Sequence, residues 1–214
     1  MIKKLMLLGA ISSSLISFAQ EKVTIMPAVG YSWRVAETAP GLSREEKEYI
    51  KGLKSGVHFE IAAYYNVKNI GIGAKFSNYS ASSSGTLRGY DMNGQTVFVP
   101  VSTKDNITFF GPSVMFSNYT NATRHKLVAD VAMGVISYST KTGAVKGTGS
   151  NFGMEVGVGY QYAVSKNFMI GPKFGVTAGT LTKMKINGQT FDLGQDQKEG
   201  LTRVSLSAAA TFRF

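Results

Sequence analysis

The sequence predicts an all-β fold: an eight-stranded antiparallel up-and-down transmembrane β-barrel with long extracellular loops and short periplasmic turns. Three observations carry this expectation. Apolar residues recur with a period of two in about eight stretches of the chain, the signature of strands with one buried and one differently solvated face. The opposite face of those stretches holds charges and glycines rather than a second apolar set. The connections between them alternate between long and short, as in barrels whose long loops all emerge on the outer side of a membrane.

The first stretch is of another kind. Met1 to Lys4 is short and positive, Leu5 to Phe18 is apolar but broken by Ser12, Ser13 and Ser14, and Ser17-Phe18-Ala19 ends it with small residues at the spacing a signal peptidase reads. Residues 1–19 are therefore expected to be a signal peptide cleaved after Ala19, and residues 20–214 the barrel domain. The apolar run is too short for a spanning helix, which needs about 20 residues.

The strands then follow in order. The first places Val23, Ile25, Pro27, Val29, Tyr31 and Trp33 on one face and Thr24, Met26, Ala28, Gly30, Ser32 and Arg34 on the other. The second sets Val57, Phe59, Ile61, Ala63, Tyr65 and Val67 against His58, Glu60, Ala62 and Tyr64. A tight turn at Lys68-Asn69 leads to the third, with Ile70, Ile72, Ala74 and Phe76. Phe110, Pro112, Val114 and Phe116 mark the fourth, though Ile107 and Phe109 blur its phase. Leu127 to Val135 gives the fifth, Phe152 to Tyr162 the sixth, Phe168 to Val176 the seventh and Val204 to Phe214 the eighth. Long connections are expected near 35–55, 81–105, 139–150 and 181–200, and short ones at 68–69, 119–125 and 165–167.

Composition narrows the function classes. Cysteine is absent, so neither a disulfide framework nor a thiolate metal site is available. The formal charge of +10 suits an anionic membrane surface. No Lys/Arg run or aromatic-basic motif stands on one element, so nucleic acid is not expected as a partner. Aromatic residues fall at strand ends, as two girdles at the headgroup levels of a bilayer. Tyr31, Trp33, Phe59, Phe110 and Phe152 would form the outer one, and Tyr65, Phe116, Tyr160, Tyr162, Phe168, Phe212 and Phe214 the inner.

The inward face carries the candidate site. Glu60, Asp130 and Glu155 balance Lys75, Lys173 and Arg203, and a buried charge without a partner is costly, so a structural ionic network is expected inside the barrel. Counting back from Lys68-Asn69 sets Ala62 opposite Lys75, with Glu60 as its diagonal neighbour; for Glu155 and Lys173 the same count leaves a larger offset. Catalytic residues are few: His58 would face the lumen beside Glu60, and His125 sits at the second short turn. No Ser-His-acid set and no third metal ligand can be placed beside them. No cofactor is expected.

In the loops, Ser43 to Lys51 is expected to form a short helix capped by Ser43 with Glu46 in the capping-box position. Asn93-Gly94-Gln95-Thr96 recurs as Asn187-Gly188-Gln189-Thr190, which predicts β-hairpins in both loops. It extends a repeat in which residues 59–76 resemble 154–174, suggesting four strands doubled to eight. Thr96 to Val101 is apolar for an exposed segment and is expected either to offer a pairing edge or to fold over the barrel mouth.

The ending Ser17-Phe18-Ala19-Gln20 of the leader, the strand Phe110-Gly111-Pro112-Ser113-Val114 and the terminal Thr211-Phe212-Arg213-Phe214 resemble the eight-stranded outer-membrane β-barrel proteins of the OmpA/OmpX type, especially the porin-like barrel family common in Bacteroidetes. The resemblance implies a Gram-negative outer-membrane location, with membrane lipid and lipopolysaccharide as surroundings. It also implies the barrel-assembly machinery as a partner that reads the final aromatic residue, matched here by Phe214. It implies no ligand, and the loop partner is left unknown. The function expected is a non-enzymatic structural or surface-interaction role through the extracellular loops. The alternatives are a narrow channel or carrier for small solutes, and a lipid-modifying enzyme.

Overall fold

A computed structural model describes residues 22–35, 41–90, 92–194 and 199–214. The expected signal peptide, residues 1–19, and its expected cleavage after Ala19 lie outside the described residues. Eight antiparallel strands close on themselves: β1 (Val23–Arg34), β2 (Ser55–Val67), β3 (Ile70–Tyr90), β4 (Thr96–Ser117), β5 (His125–Thr142), β6 (Val145–Ala163), β7 (Phe168–Leu181) and β11 (Arg203–Arg213). Each pairs with its sequence neighbours, and the seam is shut by β1 against β11. Closure leaves no unpaired edge within the barrel wall, which hydrocarbon requires.

The wall has the phase read from the sequence. Outward positions are apolar and exposed, from Leu127 and Met133 on β5 to Val156 and Val158 on β6. The two aromatic girdles point outward, with Trp33, Phe110 and Phe152 toward one rim and Tyr65, Phe116 and Tyr160 toward the other. On β5 the apolar run Leu127 to Val135 spans about 27 Å along the strand. At the usual tilt that is close to the ~25 Å apolar band of a membrane barrel.

Inward residues are stacked in three layers. The lower layer is mixed: Met26, Tyr64, Met115, Tyr119 and Met169 pack among the buried polar and basic side chains of Gln161, Thr211, Lys126 and Arg213. Its Tyr64 hydroxyl lies 3.0 Å from Ser113 Oγ, and Tyr119 Oη donates to Gln161 at 3.0 Å. The upper layer holds Tyr79, Ile107, Phe109, Ile136, Leu181 and Leu201. Here lies the reason for the blurred phase of strand four: Phe109 and Ile107 face an apolar interior while Phe110 faces lipid, so both faces read apolar at that height. Charged residues fill the space between.

Above the wall, two of the four expected long loops are largely extended strand. β3 and β4 run on as a paired ribbon to Tyr90 and Thr96, and β5 and β6 meet at a tight turn with Gly143 at φ +57°. Thr96 to Val101 is spent as the outer strand of that ribbon, paired with Gly85 to Tyr90. β8 (Lys183–Ile186) and β9 (Gln189–Asp192) form the second Asn-Gly hairpin, with Asn187 and Gly188 at φ +46° and +94°, as a type I′ turn demands. β10 (Glu199–Gly200) adds a short pairing to β7. The helix α1 (Arg44–Leu53) has its capping box: Ser43 Oγ accepts from the Glu46 amide at 3.2 Å and Glu46 accepts from the Ser43 amide at 2.8 Å.

Candidate functional site

Alternation fixes which side chains enter the lumen, and cross-strand register fixes their heights. Ala62 on β2 faces Lys75 on β3, Glu60 faces Ser77, and Glu155 on β6 faces Thr177 on β7. Lys173 and Arg203 enter from β7 and β11, and Asp130 from β5. All six charged side chains are at most 3% exposed and lie at one level.

The six form a continuous belt. Lys75 Nζ reaches Asp130, Glu155 at 3.1 Å and Glu60 at 3.5 Å. Lys173 Nζ sits 2.5 Å from Glu60 and 2.6 Å from Asp130. Arg203 donates to Ser77 Oγ at 2.9 Å and lies 3.6 Å from Glu155. Glu155 further accepts from Ser77 at 2.6 Å and Thr177 at 2.8 Å. The diagonal pair Glu60–Lys75 is thus brought together, while Glu155 and Lys173 are each satisfied by other partners. Three carboxylates meet three cations, so these six side chains balance in charge.

His58 is buried with Nε2 3.8 Å from Glu60, beyond hydrogen-bond length, and no hydroxyl is bonded to its ring among the described residues. His125 lies at the opposite end, its Nδ1 2.6 Å from Tyr160 Oη. No grouping of three His, Asp or Glu side chains suited to a metal occurs among the described residues.

A second charged cluster caps the outer mouth, beyond the apolar girdle. Arg34 Nη1 lies 3.4 Å from Asp105, its other nitrogen bonds Glu199 and the Gly200 carbonyl, and Tyr138 Oη donates to Asp105 at 3.0 Å. Burial pushes the Asp105 carboxyl above its ordinary range, against the hydrogen bonds of Thr140 and Tyr138 and the charge of Arg34. The sequence reading did not anticipate this cluster, because Asp105 and Glu199 fall in what reads as loop. The available signal was the phase of Arg34, one step beyond Ser32 on the inward face.

Comparison with solved structures decides the architecture. Neisserial surface protein A superimposes with a TM-score of 0.57 at 13% identity, over 90% of this chain and 97% of that one. This chain has the fold of an eight-stranded outer-membrane β-barrel. A major outer membrane protein from Thermus thermophilus gives a TM-score of 0.53 at 12% identity, over 90% of this barrel and 98% of that chain. No protein-family model and no curated protein matches the sequence. At such identities the likeness shows the barrel fold alone and leaves the role to the site.

Proposed function

We propose that this protein is a closed, non-conducting and non-enzymatic outer-membrane barrel that acts through its extracellular surface, in envelope structure or in surface interaction. One observation carries the reading. The lumen is filled at three successive levels, with the charged belt set between an apolar layer above and a layer of mixed apolar, polar and basic side chains below. Ions crossing it would have to displace Phe109, Ile107 and Ile136 and then break a neutral network. Eight-stranded barrels have room for side chains and little else.

What remains outside is substantial: the β3–β4 ribbon, α1 and the β8–β9 hairpin all stand beyond the outer girdle. α1 is seated on the ribbon, with Tyr49 Oη donating to Thr103 Oγ1 at 2.5 Å, so the surface it presents is ordered. Membrane lipid and lipopolysaccharide are the natural surroundings of such a surface. Phe214, whose backbone exchanges bonds of 2.9 and 3.0 Å with Val23 at the seam, is the residue an assembly machinery would engage. The test is reconstitution in planar bilayers. Silence under applied voltage is expected, and steady unitary conductance by the folded barrel refutes the reading.

A further inference from the structure

On three adjacent strands the outward residues follow one formula from the membrane upward. β4 reads Phe110, Thr108, Asn106, Lys104; β5 reads Val135, Ser137, Ser139, Lys141; β6 reads Phe152, Ser150, Thr148, Lys146. The register aligns them. Phe110 faces Val135 and Val135 faces Phe152, while Lys104 faces Lys141 and Lys141 faces Lys146. Three exposed lysines therefore stand directly opposite one another across three strands. Like charges so placed destabilise a sheet. Among the described residues no carboxylate lies within ion-pair distance of any of the three, and Asp192 on the β8–β9 hairpin is engaged by Lys183 at 3.3 Å.

Below the lysines a groove of about 460 Å³ opens against the β8–β9 hairpin, lined by Asn106, Thr108, Ser137, Ser139, Thr148 and Lys185. Its walls offer hydroxyls and an amide, the complement of a sugar. Height identifies the occupant. Each lysine stands six positions above the girdle-level residue of its strand, Phe110, Val135 or Phe152, about 20 Å along the strand. At a tilt of about 40° that is roughly 15 Å above the girdle. The headgroup layer of a simple phospholipid is only about 5–8 Å deep per leaflet. The lysines stand too high for a phospholipid phosphate and at the right height for a phosphate carried on a saccharide.

We infer that this face binds the phosphorylated saccharide headgroup of a glycolipid in the barrel's own outer leaflet, its sugar in the hydroxyl groove and its phosphate on Lys104, Lys141 and Lys146. The inference rests on the proposed reading of a barrel acting through its outer surface, and names the partner of that surface.

The test uses the folded mature chain in phosphatidylethanolamine vesicles doped with rough lipopolysaccharide, with the same lipopolysaccharide stripped of phosphate, or with phosphatidylglycerol. Glycolipid retained after detergent extraction is quantified by mass spectrometry, and heat-modifiable migration confirms folding. The native protein should retain the phosphorylated form only. The K104Q/K141Q/K146Q variant should lose about a hundredfold, taking roughly fivefold per surface lysine. The K22Q/K68Q/K166Q variant, which removes equal charge from the other end, should retain it, as should lysine-to-arginine replacement of the three. Equal retention by the triple glutamine variant, equal retention of the dephosphorylated form, or equal retention of phosphatidylglycerol overturns the inference. Displacement by soluble inositol hexakisphosphate with no preference for the membrane-borne form would also overturn it, assigning the site to free phosphates. Conductance is read separately, so a barrel that conducts yet retains the glycolipid refutes the closed-barrel reading alone.

Discussion

Replacing Glu60 by glutamine removes one negative charge from a belt in which three carboxylates neutralise three cations. Glu60 is in contact with Lys173 at 2.5 Å and Lys75 at 3.5 Å, and its side chain is 3% exposed. Both lysines keep other partners, Asp130 for each and Glu155 for Lys75, so the loss is one unbalanced charge rather than an abandoned one. Breaking a buried ion pair from one side costs about 3–5 kcal/mol. With a urea slope near 2 kcal/mol per molar, the unfolding midpoint should fall by about 2 M. Trp33, the single tryptophan, points outward from β1 and reports the loss of lipid contact by its fluorescence. The double variant Glu60→Gln/Lys173→Met restores neutrality and should recover most of the loss, because the penalty belongs to the uncompensated charge. A shift of less than about 0.5 kcal/mol in the single variant would mean that the charges are individually hydrated and that the belt is not a network.

Other perturbations reach other layers. A side chain at Gly111 would place its Cβ 2.1 Å from the Met133 carbonyl, whereas at Gly89 the nearest atom is 3.7 Å away. Gly111→Val should therefore abolish the heat-modifiable folded band, and Gly89→Ala should leave it intact. Phe109→Ala, which empties the upper layer, should cost about 3–5 kcal/mol in the same urea titration. Ser43→Ala removes one half of the capping box and should speed hydrogen exchange across α1, by about 0.5–2 kcal/mol of local stability, with the barrel amides unchanged. Asp105 has a folded pKa above its unfolded value, so the folded state holds its proton more tightly. Stability from this group is lost as pH rises through the raised pKa and regained as pH falls toward the ordinary value near 4. The difference between wild type and Asp105→Asn in urea midpoint should widen in the variant's favour as pH rises through that window.

Much of the wall was legible because it depends on nearest neighbours. The phase of β2, the Lys68-Asn69 turn and the Ala62–Lys75 alignment follow from period two and one tight turn. The capping box and the Asn-Gly hairpins are equally local. What crosses the lumen was not legible. Lys173 meets both Glu60 and Asp130 because barrel shear brings β7, β2 and β5 to one level, and pairwise register says nothing of that. Alternation also fails as a signal where interior and lipid are both apolar, as at Phe109 and Phe110. Residues 139–150 read as loop because serine, threonine and glycine dominate them. Apart from the turn at 143–144 they are strand, because those hydroxyls face water on one side while Tyr138 and Ile136 pack inward just below.

The belt has a consequence for how the barrel reaches its final form. Its members come from β2, β3, β5, β6, β7 and β11, six of the eight staves. Sliding any of these strands by one residue would turn its charge out into hydrocarbon and an apolar side chain into the belt. Such a mispaired sheet would carry an ion on its oily side and an unmatched one within. The belt thus acts as a proofreading key for strand pairing, satisfied only when every stave has docked at its proper height.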